Sequence, residues 1–350
     1  MKICLIYSSK EGLEKEYRRR FRHNHLKDEI PPDFFAEGDS PATIYAIQDA
    51  LHQGGHRVIK IEADDAAMQK LEEIRPDLVF NIAEGLFGDF RESYIPMICE
   101  RLNLPYTGSD PLSLALCLNK ARAKEILGFH LIPTPAFRVY YPRHKIDLEN
   151  IEFPAIIKPM FEGSSKGIFD DSVIDNPHTA KSKIREKMEK YQQPVILEKY
   201  LPGREFTVAV WGNGDEIEVL PLVAINFVNL PEGAWSIYSY EAKWIWDTPE
   251  KPLEIFQCPA QINELEKRRI EEIACDTYKA LNIRDWCRID VRLDEKGIPH
   301  IIELNPLPGI LPNPEDNSCF PKAARTAGYS YVQMINRIVE IAAKRNGIRS

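Results

Sequence analysis

Three polar side chains in a predicted β-hairpin near the end of the chain have the chemistry of a metal site. Asp290 lies in the segment CRIDVRL, and Glu303 and Asn305 lie two positions apart in HIIELNPLPG. Carboxylate and amide oxygens favour Mg²⁺ or Mn²⁺ over zinc, and so sparse a protein shell leaves room for water and phosphate ligands. The alternative is an ordinary hairpin whose outer face is solvated.

The turn DEKG sets the expected register of this hairpin. A four-residue loop places Leu293 opposite Ile298. Alternation then gives one face that holds Arg288, Asp290, Ile301 and Glu303. In this register the two carboxylates are diagonal neighbours, roughly 7 Å apart, with Asn305 next along the edge.

Charged and small residues at the ends of other predicted strands have the chemistry of phosphate binding. FPAIIKP ends a buried strand with Lys158, and FEGSSKG follows, where backbone N–H groups at residues such as Ser165 suit a phosphate. VILEKYLPGREF places Glu198 and Lys199 at the end of another strand and Glu205 at the start of the next. Neither a P-loop motif nor a Rossmann glycine fingerprint occurs in the sequence.

The first third of the chain alternates short apolar strands with helices. Strands are predicted over residues 2–7, 56–63 and 76–85, and helices over ATIYAIQDALHQ and ESYIPMICERLN. Ser40 and Pro41 give the first of these helices a start signal, and Gly54 ends it. This alternation predicts a parallel α/β domain over residues 1–112.

Two α+β units are predicted to follow, over residues 113–203 and 204–350. The second of them contains a long amphipathic helix, the hairpin and a last helix near residues 330–344. The predicted class is therefore α/β and α+β multidomain. Residues 10–38 resist this scheme because they are highly charged and include two adjacent prolines. They are either a solvated helix or mobile loop, or a lid over a substrate.

Composition excludes several classes of function. The formal net charge of -8, with acids and bases mixed along the chain, argues against a nucleic-acid partner. Seven cysteines without a Cys-x-x-Cys pair predict neither a disulfide framework nor a zinc knuckle and favour the reducing cytoplasm. No apolar run approaches the roughly 20 residues of a membrane span, so we expect no membrane association.

Taken in order, these segments resemble the D-alanine:D-alanine ligase family of the ATP-grasp superfamily. The resemblance runs from about residue 104 to the C-terminus through LPYTGSDPLSLALCLNKARAK, FPAIIKPMFEGSSKG, ILEKYLPGREFTV, YEAKW, RIDVRLDEKGIPHIIELNPLPG and SCFPKAARTAGYSY. It implies an ATP-grasp fold behind an N-terminal parallel α/β (pre-ATP-grasp) domain. The implied activity joins a carboxylate to an amine through an acyl phosphate and forms ADP. ATP, Mg²⁺ or Mn²⁺, small-molecule substrates and a homodimer are implied with it.

The resemblance also implies roles for individual residues. Phosphate-binding lysines of the family match Lys120, Lys158 and Lys243. The adenine-reading segment matches Glu198, Lys199 and Leu201, and the ribose-binding acid matches Glu205. The magnesium ligands match Asp290, Glu303 and Asn305. The groups that stabilise the tetrahedral intermediate match Arg288 and the Gly309 backbone, and loop serines near the substrate match Ser164 and Ser318.

The N-terminal third departs from the family pattern. YSSKEGLEKEYRRR does not reproduce the stretch whose glutamate binds the first amino acid, NIAEGLFGDFRES replaces the usual His-Gly segment, and Trp244 stands where family members carry a tyrosine. Glu84 and Arg91 are the candidate replacement substrate contacts; helix capping for Glu84 and solvation for Arg91 are the alternatives. The substrate therefore stays open between D-alanine and a different amino acid, hydroxy acid or small peptide. A catalytically inactive nucleotide-binding protein is the remaining alternative.

Overall fold

The computed structural model describes residues 1–21, 30, 31, 33–247 and 253–348. The predicted N-terminal strands form a parallel sheet in the order β2-β1-β3. Their bounds are β1 (Lys2–Tyr7), β2 (Arg57–Glu62) and β3 (Leu78–Asn81). Helices α1 (Lys10–Arg20), α2 (Pro41–Gln53), α3 (Ala67–Ile74) and α4 (Tyr94–Leu102) accompany this sheet. The α/β prediction for this region is confirmed.

Helix α2 begins and ends where the sequence predicts. The Ser40 side chain accepts a hydrogen bond from the Thr43 N–H at 3.1 Å, Pro41 occupies the first turn, and Gly54 caps the C-terminus. The two ends of the charged segment before it, residues 10–38, differ in burial. Helix α1 buries Leu13 alone, as a solvated helix does, whereas Asp33 and Glu37 are buried against another part of the chain. Residues 22–29 and 32 of the same segment lie outside the described part.

The central region forms an antiparallel sheet in the order β4-β7-β5-β6. Its elements are α5 (Pro111–Leu118), α6 (Lys120–Phe129), β4 (Phe137–Tyr140), β5 (Ala155–Pro159), β6 (Val173–Ile174), α7 (Pro177–Tyr191) and β7 (Val195–Lys199). The sequence predicted one helix where α5 and α6 are two. Asn119 is extended, ends α5 and caps α6 by accepting from the Arg122 N–H at 3.1 Å, so Lys120 becomes the first residue of α6.

The last region is built on an antiparallel sheet in the order β11-β10-β8-β12-β13, with β9 paired to β8. Its strands are β8 (Glu205–Trp211), β9 (Glu218–Val219), β10 (Val223–Ile225), β11 (Phe256–Gln257), β12 (Trp286–Leu293) and β13 (Pro299–Asn305). Its helices are α8 (Glu264–Ala280), α9 (Cys319–Thr326) and α10 (Tyr331–Arg345), and a π-helix spans Ala242–Trp246. Helix α9 was not predicted.

The largest core joins the first and last regions. Ile3 and Ile47 pack in one cluster with Phe320 and Ile338 of the C-terminal helices, because α10 lies against α2. The expected boundaries near residues 112 and 203 stay a proposal. None of the helices in the described part of the chain has the length and apolar character that a bilayer span requires.

Candidate active site

The predicted register of the β12–β13 hairpin is wrong by one residue near the turn and by two residues beyond Val291. Leu293 pairs with Pro299 rather than Ile298, and an irregularity beside Asp290 accommodates Ile302 as an extra residue on β13. Asp290 therefore lies directly opposite Glu303, at the roughly 5 Å between facing residues rather than at a diagonal distance.

The bulge also changes which residues share a face of the sheet. Ile301 does not share the polar face, since it is buried with Val291 in the core on the other side. Arg288 lies opposite Asn305 on the polar face. The three predicted metal ligands thus converge on one patch of β12 and β13.

Hydrogen bonds hold these ligands in place. Asp290 accepts from the Thr207 hydroxyl, from Arg288 at 3.0 Å and from the Asn305 amide at 3.4 Å. The Lys120 ammonium lies 2.7 Å from Glu303 Oε1. Within the described residues no group of three or more His, Cys, Asp or Glu side chains could hold a metal alone. Two carboxylates and an amide fit a divalent cation whose other ligands come from outside the protein.

A buried ion network lies behind this patch. Glu198 is 1% exposed and lies 2.7 Å from Lys158 Nζ and 3.2 Å from Lys124 Nζ. Burial raises the pKa of Glu198, but Lys124 and then Lys158 outweigh it and hold the pKa at about 2. The sequence analysis missed Lys124, although its place one helical turn after Lys120 was a readable signal.

The other predicted residues of this region line the same cavity in different ways. Glu205 accepts from Arg292 at 2.8 Å, and Arg292 also lies over the Tyr200 ring at 4.9 Å. Leu201 is buried in the wall. The Lys199 ammonium pairs at the surface with Glu152 at 2.9 Å, although the residue lines the cavity. Arg292 was another omission from the predicted site.

Two cavities meet at the patch of β12 and β13 that holds the three predicted metal ligands. The first cavity, about 1040 Å³ to its open mouth, lies between the central and last sheets and includes Lys158, Glu198 and Glu205. The second cavity, about 1580 Å³ on the same measure, lies between the N-terminal region and the loop that follows β13. The residues that line both are Ser164, Lys243, Arg288, Glu303, Asn317 and Cys319. The two cavities therefore share a wall at this patch.

Two cations at this junction have shifted pKa values. Burial and then Arg288 lower the pKa of Lys243 to about 8. Burial lowers the pKa of Arg288, but Asp290 outweighs it, so the guanidinium stays charged. A persistent positive charge beside an acid pair suits the stabilisation of a developing negative charge.

A loop of residues 161–167, here called the serine loop, covers this junction. Ser164 and Ser165 both have a left-handed backbone, with φ of 50° and 61°, and the Ser165 hydroxyl donates to the Tyr238 carbonyl at 2.9 Å. The segment of residues 33–39 clamps the loop, because Glu37 accepts from Gly163 N–H at 2.9 Å and Asp33 accepts from Gly167 N–H at 2.7 Å.

Arg91 belongs to this clamp and lies outside the lining of both cavities. It is 4% exposed, lies 3.0 Å from Glu37 and 3.6 Å from Glu162, and donates to the Phe161 carbonyl at 2.7 Å. The alternative of a solvated arginine is therefore wrong, and contact with a substrate stays a prediction. Through Glu37, Glu162 and the Phe161 carbonyl, its guanidinium positions the serine loop.

The loop after β13 carries two further predicted residues. Gly309 lines the second cavity, and a Cβ added there would meet no atom within 4 Å, so its surroundings are open rather than crowded. Ser318 also lines this cavity, but its hydroxyl donates to the Gly309 carbonyl at 2.9 Å and accepts from the Leu311 N–H at 3.1 Å. Ser318 thereby fixes the position of Gly309.

Acidic residues of the N-terminal region form the remaining wall of the second cavity. Glu84 lines it, so its predicted contact with a substrate stays a prediction, and Asp39 and Glu92, which the sequence analysis missed, line it as well. Burial, reinforced by Glu37 and Glu92, raises the pKa of Glu84 well above its ordinary value. The side chain of Trp244 lies outside the described part.

Comparison with known proteins assigns the family. The family model for the D-ala D-ala ligase C-terminus matches residues 142–340. The D-alanine–D-alanine ligase of Bartonella henselae is 31% identical over 85% of this chain and 91% of its own. The chain belongs to the D-alanine–D-alanine ligase family. An uncharacterized protein, y4sG of Sinorhizobium fredii, is 32% identical over 91% of this chain and 92% of its own.

Solved structures agree with the family at the level of the fold. The Bacillus anthracis D-alanine–D-alanine ligase complexed with ATP has a TM-score of 0.69 at 20% identity and covers 99% of both chains. The predicted family and ATP-grasp fold are confirmed, and with them the prediction of an ATP-dependent ligase that forms carbon–nitrogen bonds. The residue roles stay predictions.

Proposed function

We propose that this member of the D-alanine–D-alanine ligase family joins a small carboxylate to a small amine with ATP and a divalent cation. The observation that carries the proposal is the junction, where Asp290 faces Glu303 and both cavities open onto Arg288 and Lys243. Phosphoryl transfer and acyl transfer need adjacent sites, because the acyl phosphate made in the first reaction is consumed in the second.

ATP fits the first cavity. Lys158, Lys243 and the N–H groups of the serine loop suit the phosphates, while Glu198, Lys199 and Leu201 line the region suited to the base and Glu205 that suited to the ribose. Asp290, Glu303 and Asn305 would hold Mg²⁺ or Mn²⁺, which neutralises charge on the transferring phosphate. Lys120 would balance Glu303 and the phosphates together.

In the proposed reaction a carboxylate oxygen of the donor attacks the γ-phosphorus, and ADP leaves with the electron pair of the broken P–O bond. The amine nitrogen then attacks the acyl carbon. Arg288 and the Gly309 N–H would stabilise the oxyanion, a contribution worth about 100- to 1000-fold in rate per donor. Phosphate leaves as the amide forms, and the amine proton passes to solvent. The clamped serine loop, with Ser164 facing both cavities, excludes water that would hydrolyse the acyl phosphate.

The test measures ADP release with ATP, MgCl₂ and a panel of D- and L-amino acids, alone and in pairs. We expect ADP only with a competent pair, and loss of turnover when EDTA removes the cation. ADP release that persists in EDTA would contradict the metal assignment. Failure of every pair, with retained thermal stabilisation by ATP and Mg²⁺, would favour a nucleotide-binding protein without ligase activity.

Two further proposals concern the oligomeric state and the cellular location of the protein. A homodimer is what the family resemblance implies, and light scattering of the purified protein tests it. All seven cysteines are unpaired thiols, which suits the reducing cytoplasm.

A further inference from the structure

Three carboxyl groups in the second cavity stand outside the ion pairs found among the described residues. Asp39, Glu84 and Glu92, here called the three-acid cluster, all line the cavity, and none of them forms an ion pair in the part of the chain that the structure describes. They come from the N-terminal region, where the sequence departs from the family.

The other acids of the cavity are already balanced. Glu37 and Glu162 are held by Arg91 and Lys166, with Lys166 Nζ 3.2 Å from Glu37 and 2.6 Å from Glu162. Glu303 is held by Lys120. The cations of the clamp and of the β12–β13 patch are therefore paired with these acids or with Asp290, and Lys243 is a further positive charge that lines the cavity and acts on Glu84.

Glu92 shows that the cluster is built for a ligand rather than for solvent. It is only 9% exposed, lines the cavity and makes no side-chain hydrogen bond to any described residue. Burying a carboxyl group without a partner is costly. Burial accordingly raises the pKa of Glu92 to about 7 and that of Asp39 to about 8.

We propose, resting on the ligase function above, that the second cavity binds an amino acid with two basic groups, a diaminocarboxylate. Lys243, which lines the cavity and acts electrostatically on Glu84, offsets one of the three carboxylates. One ammonium group balances one carboxylate, so a single α-ammonium leaves one carboxylate uncompensated. A second ammonium on the side chain completes the balance. The ligand's own carboxylate then faces Arg288 and the Gly309 N–H on the wall formed by β12 and the loop after β13.

This orientation makes the diaminocarboxylate the acyl donor. Carboxylates beside an ammonium group raise its pKa and keep it protonated, and a protonated amine has no lone pair with which to attack. Both amino groups are therefore protected in the cavity. The molecule enters the reaction through its carboxylate, which receives the phosphoryl group, and the amine comes from the second substrate.

The test compares ornithine with norvaline, which has the same carbon skeleton but lacks the side-chain amine. ADP release is measured for the D and L forms of each as donor, with saturating acceptor. We expect kcat/KM to be about 10- to 100-fold higher for ornithine, the range of one buried charge-assisted hydrogen bond. Equal or better turnover of norvaline would overturn the proposal.

Binding is measured separately from turnover. Thermal stabilisation by ornithine and norvaline is recorded with a non-hydrolysable ATP analogue and Mg²⁺. If neither is turned over but ornithine alone stabilises the protein, the ligase function fails and the cavity assignment stands. If ornithine gives no larger shift than norvaline, the cavity assignment fails, whatever the ligase activity.

Variants of the three-acid cluster test which residues cause the preference for ornithine over norvaline. Glu92→Gln and Asp39→Asn should each lower the ornithine-to-norvaline ratio about 10-fold, after circular dichroism has verified folding. Glu72→Gln, an exposed carboxylate on α3 of the same region, is the matched control and should leave the ratio unchanged. An unchanged ratio in both cluster variants would contradict the proposal.

Discussion

The two cavities differ in whether their buried acids are paired with basic side chains. In the first cavity every buried acid has a basic partner, as Glu198 has Lys124 and Lys158 and Glu205 has Arg292. In the second cavity no member of the three-acid cluster forms an ion pair with another described residue. The first cavity is thus electrostatically complete before any ligand binds, whereas the second is completed by its ligand. Resemblance to the family is strong around the first and weak around the second.

The sharpest way to test this contrast is to remove a charge from the complete cavity. Glu198→Gln leaves two buried lysines without a full counter-charge, and we expect it to lower the free energy of unfolding by about 3 to 5 kcal/mol. Urea denaturation measures the change. Lys124→Met is the matched control, because Lys158 still balances Glu198, and it should cost less. If both variants lost the same free energy of unfolding, Glu198 would not be balanced by Lys124 and Lys158 together.

A change at the junction should affect catalysis more than stability. Glu303→Gln removes a metal ligand, and we expect ADP release to fall by about 100-fold or more, since even outer-shell partners of a metal cost about 10- to 100-fold. Glu272→Gln, an exposed acid on α8, is the control. Turnover within a factor of two of the unmutated enzyme would exclude Glu303 as a ligand.

Removing an acid from the second cavity should stabilise the protein, whereas removing Glu198 from the first should destabilise it. Glu84→Gln removes a carboxyl group whose ionised form is opposed by burial and then by repulsion from Glu37, Glu92 and Asp39. We expect it to raise the free energy of unfolding of the ligand-free protein at pH 8. The same urea titration measures it. A loss of stability would show that the cluster is not mutually repulsive.

The two cavities should also respond to pH in different ranges. Glu198, with its pKa held at about 2, contributes stability above pH 4.5 that is lost as the pH falls. Glu92 and Asp39, with pKa values raised to about 7 and about 8, bind protons more tightly when folded, so stability falls as the pH rises from 4 to 8.

Thermal unfolding of the ligand-free protein between pH 3 and 9 tests both ranges. We expect Asp39→Asn to flatten the decline above pH 5 and to leave the acid limb unchanged. A decline of the same slope in Asp39→Asn would assign it to other groups.

Local patterns in the sequence were sufficient to predict most elements. The cap at Ser40, the strand ends at Lys158 and Lys199 and the hairpin all depend on neighbours in the chain, and each is found near its expected place. The split between α5 and α6 was missed because Asn119 serves two helices at once, which periodicity does not reveal.

The candidate site was predicted where residues act within one motif and missed where they act across regions. Asp290, Glu303 and Asn305 lie in one hairpin, so their proximity was readable. Lys124 and Arg292 act through contacts with distant acids. Asp39 and Glu92 meet only because the N-terminal sheet packs beside the loop after β13, and no spacing in the sequence encodes that meeting.

The extra residue on β13 has a practical consequence for engineering. Ile302 and Glu303 are adjacent yet both line the first cavity, so one stretch of edge strand offers it an apolar surface and a carboxylate. Deleting Ile302 would restore regular alternation while keeping Glu303 opposite Asp290. If ATP occupies the first cavity as proposed, the shortened hairpin would lose an apolar contact to the nucleotide and keep its proposed metal ligands. A single-codon deletion would then weaken nucleotide affinity while leaving phosphoryl transfer in place.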